Sequence, residues 1–282
     1  MYVYQVANAD KEIPNASGRY VAGIPIGVIL FGVAGYTLPP GTVENATTYK
    51  YPVHFMGIPA AITENVVNPE PHPEVLKQLV NAGKFMQSQG VRAIVGACGY
   101  FGNYLPAVKK QLDVPCFFSS LMQLPVILNS ISENKKVGVI CANSEILPKS
   151  NVLKNCGITK ENLSRLVIRG GGGEEIPEMT NKILKNTGSY NPKQLEREVV
   201  DVAVDMVKKD PDISALMLEC TLYPAISYAV QEALHMPVYD FMTMIDWVHS
   251  AVVQKPYYGY SWRRRRRNTG NDEQDFEEYG II

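Results

Sequence analysis

Two stretches of this chain repeat one another without a gap. Residues 93–117 read AIVGACGYFGNYLPAVKKQLDVPCF and residues 215–239 read ALMLECTLYPAISYAVQEALHMPVY. In that register Ala93 meets Ala215, Cys98 meets Cys220, Ala107 meets Ala229, Val108 meets Val230, Leu112 meets Leu234 and Pro115 meets Pro237. Each copy follows one plan: an apolar run of strand length ending on a cysteine, a turn, a stretch of helical period, and a short strand opening at proline. A supersecondary unit used twice restricts the chain to folds with internal pseudo-symmetry. If two halves face each other about a pseudo-twofold axis, the thiols of Cys98 and Cys220 oppose one another.

The remaining segments extend the repeat. Residues 24–30 form a buried-strand pattern, and residues 31–48, rich in glycine and proline, form a long loop at its carboxyl end, where binding loops gather. Residues 52–58 read as a second strand. Residues 74–89 read as a helix with Val75, Leu79, Ala82, Phe85 and Met86 on one face and Gly90 as its stop. Residues 136–142 echo the first strand, with Gly138 on Gly27. Residues 178–185 and 194–209 read as helices, the second carrying Leu195, Val199, Val202 and Met206 on one stripe. Strands alternating with helices predict an α/β fold of two pseudo-symmetric three-layer lobes, each built on a mainly parallel sheet, with the site in the cleft between them. The expected division is 1–118 with 241–260 as the first lobe and 119–240 as the second. Residues 119–131 then form a crossing helix, and 241–254 return the chain to the first lobe.

Two glycine- or charge-rich segments stand apart. The four glycines at 170–173 lack the lysine of a phosphate-binding loop and read as a flexible connection. In the tail, 261–282, the arginine run 263–267 is followed by Asp272, Glu273, Asp275, Glu277 and Glu278, a pattern that screens itself or clasps a neighbouring subunit.

Composition narrows the partners. A formal charge of −1 over 282 residues gives no basic face for phosphate neutralisation, so a small molecule is expected rather than nucleic acid. Five cysteines, an odd count without scaffold or zinc spacing, point to a reducing, cytoplasmic setting. The four histidines have no metal-ligand spacing, and no metal or cofactor is expected. The first twenty residues lack the pattern of a signal peptide, and the apolar run 21–34 is too short to span a bilayer, so no membrane partner is expected.

Opposed thiols at strand ends permit a definite chemistry. Backbone amides and the helix dipole after each cysteine favour a thiolate there. The same amides, from Gly99, Tyr100, Thr221 and Leu222, are candidates to hold a substrate carboxylate. One thiolate then removes a proton from one face of the α-carbon while the opposite thiol delivers one to the other, which inverts that carbon. Two small buried apolar residues are the plain alternative for the pair. Cys116, Cys141 and Cys156 lack this setting and read as structural.

The segments LECTLYP at 218–224 and GACGYF at 96–101 resemble the second and first cysteine motifs of the aspartate/glutamate racemase superfamily. The resemblance covers most of the chain, from about residue 24 to 247. It implies the two-lobed fold, Cys98 and Cys220 as the acid and base pair, no cofactor, and a homodimer. The chain departs from the typical amino-acid racemases. No aspartate and serine follow its first strand, and Gly99 and Tyr100 stand where asparagine and threonine usually follow the first cysteine. Its loop and the LECT wording are similar instead to a branch near the hydantoin racemases and the dimethylsulfoniopropionate lyases, in many of which an aspartate stands where this chain has Thr42.

The lyases imply the same first step with a different ending, loss of a β-substituent. Tyr36, Thr42, Glu44, Tyr100, Ser119, Ser120, Asn143 and Ser144 are the expected lining. For Ser119 and Ser120, and for Asn143 and Ser144, helix capping is the competing role. Strand alternation turns Glu219 away from the Cys220 side, which suggests a structural part for it. The leading expectation is a racemase or epimerase of a small carboxylate, then a lyase of the same first step, then a non-catalytic small-ligand binder.

Overall fold

The structure, a computed structural model, describes residues 21–32 and 36–257; the charged tail lies outside them. Among the described residues eight strands form two parallel four-stranded sheets. The first holds β1 (Ile26–Phe31), β2 (Val53–Ile58), β3 (Ala93–Gly96) and β4 (Cys116–Phe117) in the order β2-β1-β3-β4. The second holds β5 (Lys136–Cys141), β6 (Leu166–Gly170), β7 (Ile213–Leu218) and β8 (Val238–Tyr239) in the order β6-β5-β7-β8. The two orders are the same, so the repeat seen in the sequence is a repeat of topology, and the α/β fold of two lobes is as expected.

The strands read as unbroken apolar runs because helices cover both faces of a parallel sheet. In the first sheet Ile26 and Val28 of β1 and Ala93 and Val95 of β3 point to the helix Phe241–Val252, where they meet Phe241, Met244, Ile245 and Val248. Ile29 and Ile94 alternate to the other face and join the larger core with Leu79 and Met86 of the helix Pro73–Ser88. The return of the chain to the first lobe is thus a packing requirement: without the helix Phe241–Val252, one face of that sheet would meet water.

Gly27 and Gly138 hold equivalent places on β1 and β5. A Cβ on Gly27 would come within 2.6 Å of Met86 Sδ, and one on Gly138 within 2.5 Å of Met206 Sδ. Each glycine lets the long helix of its lobe, Pro73–Ser88 or Pro192–Lys209, settle directly on the strand.

Four local expectations need correction. Phe85 is 48% exposed and packs its ring edge against His54 rather than facing the core, because Val80 and Gly83 complete the buried stripe instead. The segment 119–131 is a 3₁₀ turn, Ser120–Gln123, followed by a short helix, Leu124–Ser130, since Pro125 cannot donate a backbone hydrogen bond. Residues 178–185 contain a π-helical turn, Met179–Ile183. The four-glycine run is a seam of close contact, not a loose link. A Cβ on Gly170, 171 or 172 would strike Cys141, Ala142 or Asn143 respectively, and Gly170 adopts φ 150°.

Candidate active site

The repeat delivers its two cysteines in the same local geometry. β3 and β7 are interior strands, and each ladder closes on a matching bond: Ala97 N–H donates to Ile29 O at 2.8 Å, and Glu219 N–H to Ile140 O at 2.8 Å. One residue later comes the cysteine, and in each case a tight turn follows, with Phe101 N–H donating to Cys98 O and Tyr223 N–H to Cys220 O, both at 3.0 Å. Carboxyl ends of parallel strands are where open α/β sheets leave room for ligands.

Both cysteines line one cavity of about 190 Å³, room for one small molecule. Its wall takes Leu30, Phe31 and Tyr36 from the first lobe and Met179, Ile183 and Leu184 from the second. Glu44 and Glu219 line it as well, while no lysine, arginine or histidine among the described residues does. Cys98 and Cys220 are half-buried residues, whereas the other three cysteines are buried. Burial pushes both thiols well above the ordinary cysteine range, and the nearby Glu219 carboxyl adds to it. The backbone amides of Tyr100 and Phe101 at Cys98, and of Leu222 and Thr221 at Cys220, act in the opposite direction. The expected thiolate-favouring amides are therefore present but outweighed, because desolvation of a buried anion is the larger effect.

Two carboxyls set the electrostatics of the wall. Glu44 comes from the loop after β1, which the bond from Val43 N–H to Thr221 O at 3.1 Å fastens to the second cysteine turn. Its Oε1 accepts from the Thr221 hydroxyl, and its buried Oε2 has no partner among the described residues. Glu219 is 1% exposed; its Oε2 accepts from Ala142 N–H at 2.9 Å and its Oε1 is likewise unpartnered. Burial raises each carboxyl from 4.5 to about 7.

Several expected lining residues spend their side chains elsewhere. Thr42 is fully buried and donates to Pro39 O at 2.9 Å. Ser119 accepts from Leu121 N–H at the start of a 3₁₀ turn, and Ser120 donates to the carbonyl of Glu219 at 3.3 Å. Asn143 caps the amides of Glu145 and Ile146, and Ser144 donates to Gly171 O at 3.1 Å. None of these five lines the cavity; their hydroxyl and amide groups satisfy backbone at turns, which the capping alternative had described. Leu222 offers its backbone amide to Cys220 and does not line this cavity; it lines a separate pocket with Pro39 and Pro40. Cys98, Gly99, Tyr100, Thr221, Cys220 and Tyr36 do meet in the cavity, and Tyr100 is fixed there by its hydroxyl bond to Asn143 O at 2.6 Å.

The residue whose place the sequence reading missed is Glu219. Strand alternation assigned it a structural part, yet it lines the same cavity as Cys220, and its carboxyl lies against the first cysteine turn at Gly99. A Cβ on Gly99 would collide with Glu219 Oε1, so the departure at Gly99 and the glutamate before Cys220 are one feature. Two unexplained letters in facing copies of a repeat were the available signal.

No protein-family model matches the chain. It is 28% identical over 232 residues to dimethylsulfoniopropionate lyase 7 of Emiliania huxleyi (strain CCMP1516), covering 79% of this chain and 67% of that one, so the match spans about two thirds of the lyase's own length. It is 30% identical over 212 residues to the glutamate racemase of Thermoanaerobacter pseudethanolicus (strain ATCC 33223 / 39E), covering 74% of this chain and 72% of that one. Among solved structures, glutamate racemase from Aquifex pyrophilus superposes with a TM-score of 0.52 at 20% identity, covering 82% of this chain and 84% of the other, a likeness of fold.

Proposed function

The chain belongs to the aspartate/glutamate racemase superfamily, and we propose that it uses Cys98 and Cys220 to remove a proton from the carbon next to a substrate carboxylate, ending in elimination of a β-substituent. The observation that carries this reading is the one cavity that both repeat-related cysteines line. A thiolate takes the α-proton, forming S–H as C–H breaks. The electron pair becomes the Cα–Cβ double bond, and the β-substituent leaves with the electrons of its own bond. A sulfonium leaves as a neutral thioether, which makes it a good leaving group.

The surroundings favour elimination over inversion. Glu219 stands where the other copy of the repeat has Ala97, so the groups around the two thiols are not mirror images. The Glu44 carboxyl, the ring of Tyr36 and a wall without cationic side chains among the described residues suit a small acid that carries its own positive charge. A dimethylsulfoniopropionate-like substrate has that charge, and relatives named for its cleavage support the choice. Neutral thiols at rest fit as well, since a bound cation offsets the cost of forming a thiolate beside it.

Incubation with dimethylsulfoniopropionate in heavy water tests the reading. An unsaturated acid and a thioether are expected, and both are lost in Cys98→Ser and in Cys220→Ser. Product formation that survives both substitutions sinks it. Racemisation is the second reading, favoured by the match to a glutamate racemase; deuterium at an inverted α-carbon of an amino acid, with no unsaturated product, selects it.

A further inference from the structure

Deprotonation next to a carboxylate pushes charge onto the carboxylate oxygens, and a site that speeds this step needs a donor aimed at them. The thiols cannot serve, because they handle the proton. We propose that Glu219 works as a carboxylic acid, donating the hydrogen on Oε1 to the substrate oxygen that gains charge as the α-proton leaves. This rests on the proposed carbon-acid chemistry of the same cavity.

Geometry fixes which oxygen carries the hydrogen. Oε2 already accepts from Ala142 N–H at 2.9 Å, so it faces a donor and cannot donate along that line. Oε1 lies buried against Gly99 in the cavity wall and has no partner among the described residues. An orphaned oxygen in so enclosed a place is costly unless something else satisfies it. The fold itself does not demand the group: the equivalent position in the first repeat is Ala97, which makes the same ladder bond with no polar side chain.

Charge argues for the acid form. Cys98, Tyr100, Cys141, Cys156, Cys220 and Tyr223 all feel Glu219, and each is a group whose charged form is negative. Glu44 bears on Cys220 as well. An ionised Glu219 would oppose either thiolate, whereas the neutral acid lets one form. Burial raises its pKa to about 7, which keeps the acid form populated near neutrality. The hydrogen bond shortens as the substrate oxygen gains charge, and no proton is transferred; the α-proton goes to sulfur.

Two measurements test this. In the first, kcat/KM for dimethylsulfoniopropionate is followed against pH in wild type, Glu219→Gln, Glu219→Leu and Glu44→Gln. The reacting form needs a thiolate, whose population climbs with pH because burial lifts both thiols well above 9.0, so wild-type kcat/KM rises with pH and levels off above about 7, where the acid form of Glu219 is lost. Glu219→Gln, which still offers an N–H, retains activity within about tenfold at pH 6 and keeps climbing above pH 7, while Glu219→Leu drops by about 100-fold or more. A glutamine variant as inactive as the leucine variant, or a levelling-off that stays in Glu219→Gln and vanishes in Glu44→Gln, overturns the assignment.

The second measurement needs no substrate. Difference infrared spectra of wild type minus Glu219→Gln at pH 6 are expected to show the carbonyl band of a protonated carboxylic acid. Its absence overturns the proposal even if the enzyme acts on some other substrate. A wild type that shows the band but does not cleave the sulfonium acid refutes the elimination reading and leaves the acid form of Glu219 established.

Discussion

Gly99 and Glu219 interlock in the cavity wall: the carboxyl of Glu219 occupies the volume that any side chain at position 99 would need. The two residues sit in different copies of the repeat, at the turns that follow β3 and β7, so this contact links the lobes at the site itself.

Gly99→Ala is expected to destabilise the protein by about 1–3 kcal/mol, the usual range for overpacking a tight core. Glu219→Ala on the same chain removes the obstacle, so the double variant loses less than the single substitutions added together. Urea midpoints of the four proteins in the cycle measure that coupling. Additive losses would mean that the contact does not exist in solution.

Stability is expected to fall with rising pH around neutrality. The folded-state pKa of Glu219 is raised from 4.5 to about 7, so its stabilising contribution is fully present below about 4.5 and is lost as pH climbs through about 7. At the plateau this amounts to roughly 3 kcal/mol, and Glu44 acts in the same direction. Thermal melts at pH 5 and pH 8 should show a smaller loss for Glu219→Gln than for wild type.

The thiols of Cys98 and Cys220 should react slowly with iodoacetamide at neutral pH. Because burial lifts both well above 9.0, the alkylation rate in the absence of ligand keeps climbing at pH 9 instead of levelling off. Peptide mass spectrometry resolves the two sites. A plateau below pH 8 at either one would show a thiolate stabilised at rest.

Gly27→Ala and Gly138→Ala strike equivalent methionines, Met86 and Met206. Each is expected to cost about 1–3 kcal/mol, and their effects should add, because the pairs belong to separate sheets. Chemical denaturation of both single variants and the double one checks this.

The apolar periods of β1, β5 and β7 and the register of the two cysteine segments were enough to place the strands, the α/β class and the doubled topology, because the period of face burial is written in residues near in sequence. The stripe Leu195, Val199, Val202 and Met206 is buried for the same reason. Phe85 fails that logic: helical period alone put it on the core face, whereas Val80 and Gly83 complete the buried stripe and leave it 48% exposed beside His54. Ser119, Ser120, Asn143 and Ser144 lay near enough in sequence to the strand ends to look like lining, yet each is held by a backbone group at a turn.

What the letters alone determined is the pair of thiols and the two parallel sheets that carry them, since each depends on short-range pattern repeated in register. What only the assembled chain decided is the composition of the cavity wall. Glu44, Glu219, Met179 and Ile183 come from segments far apart in sequence. Which of them share a space depends on how one lobe's turns pack on the other's, and burial in that shared space is what alters the acidity of its carboxyls and thiols.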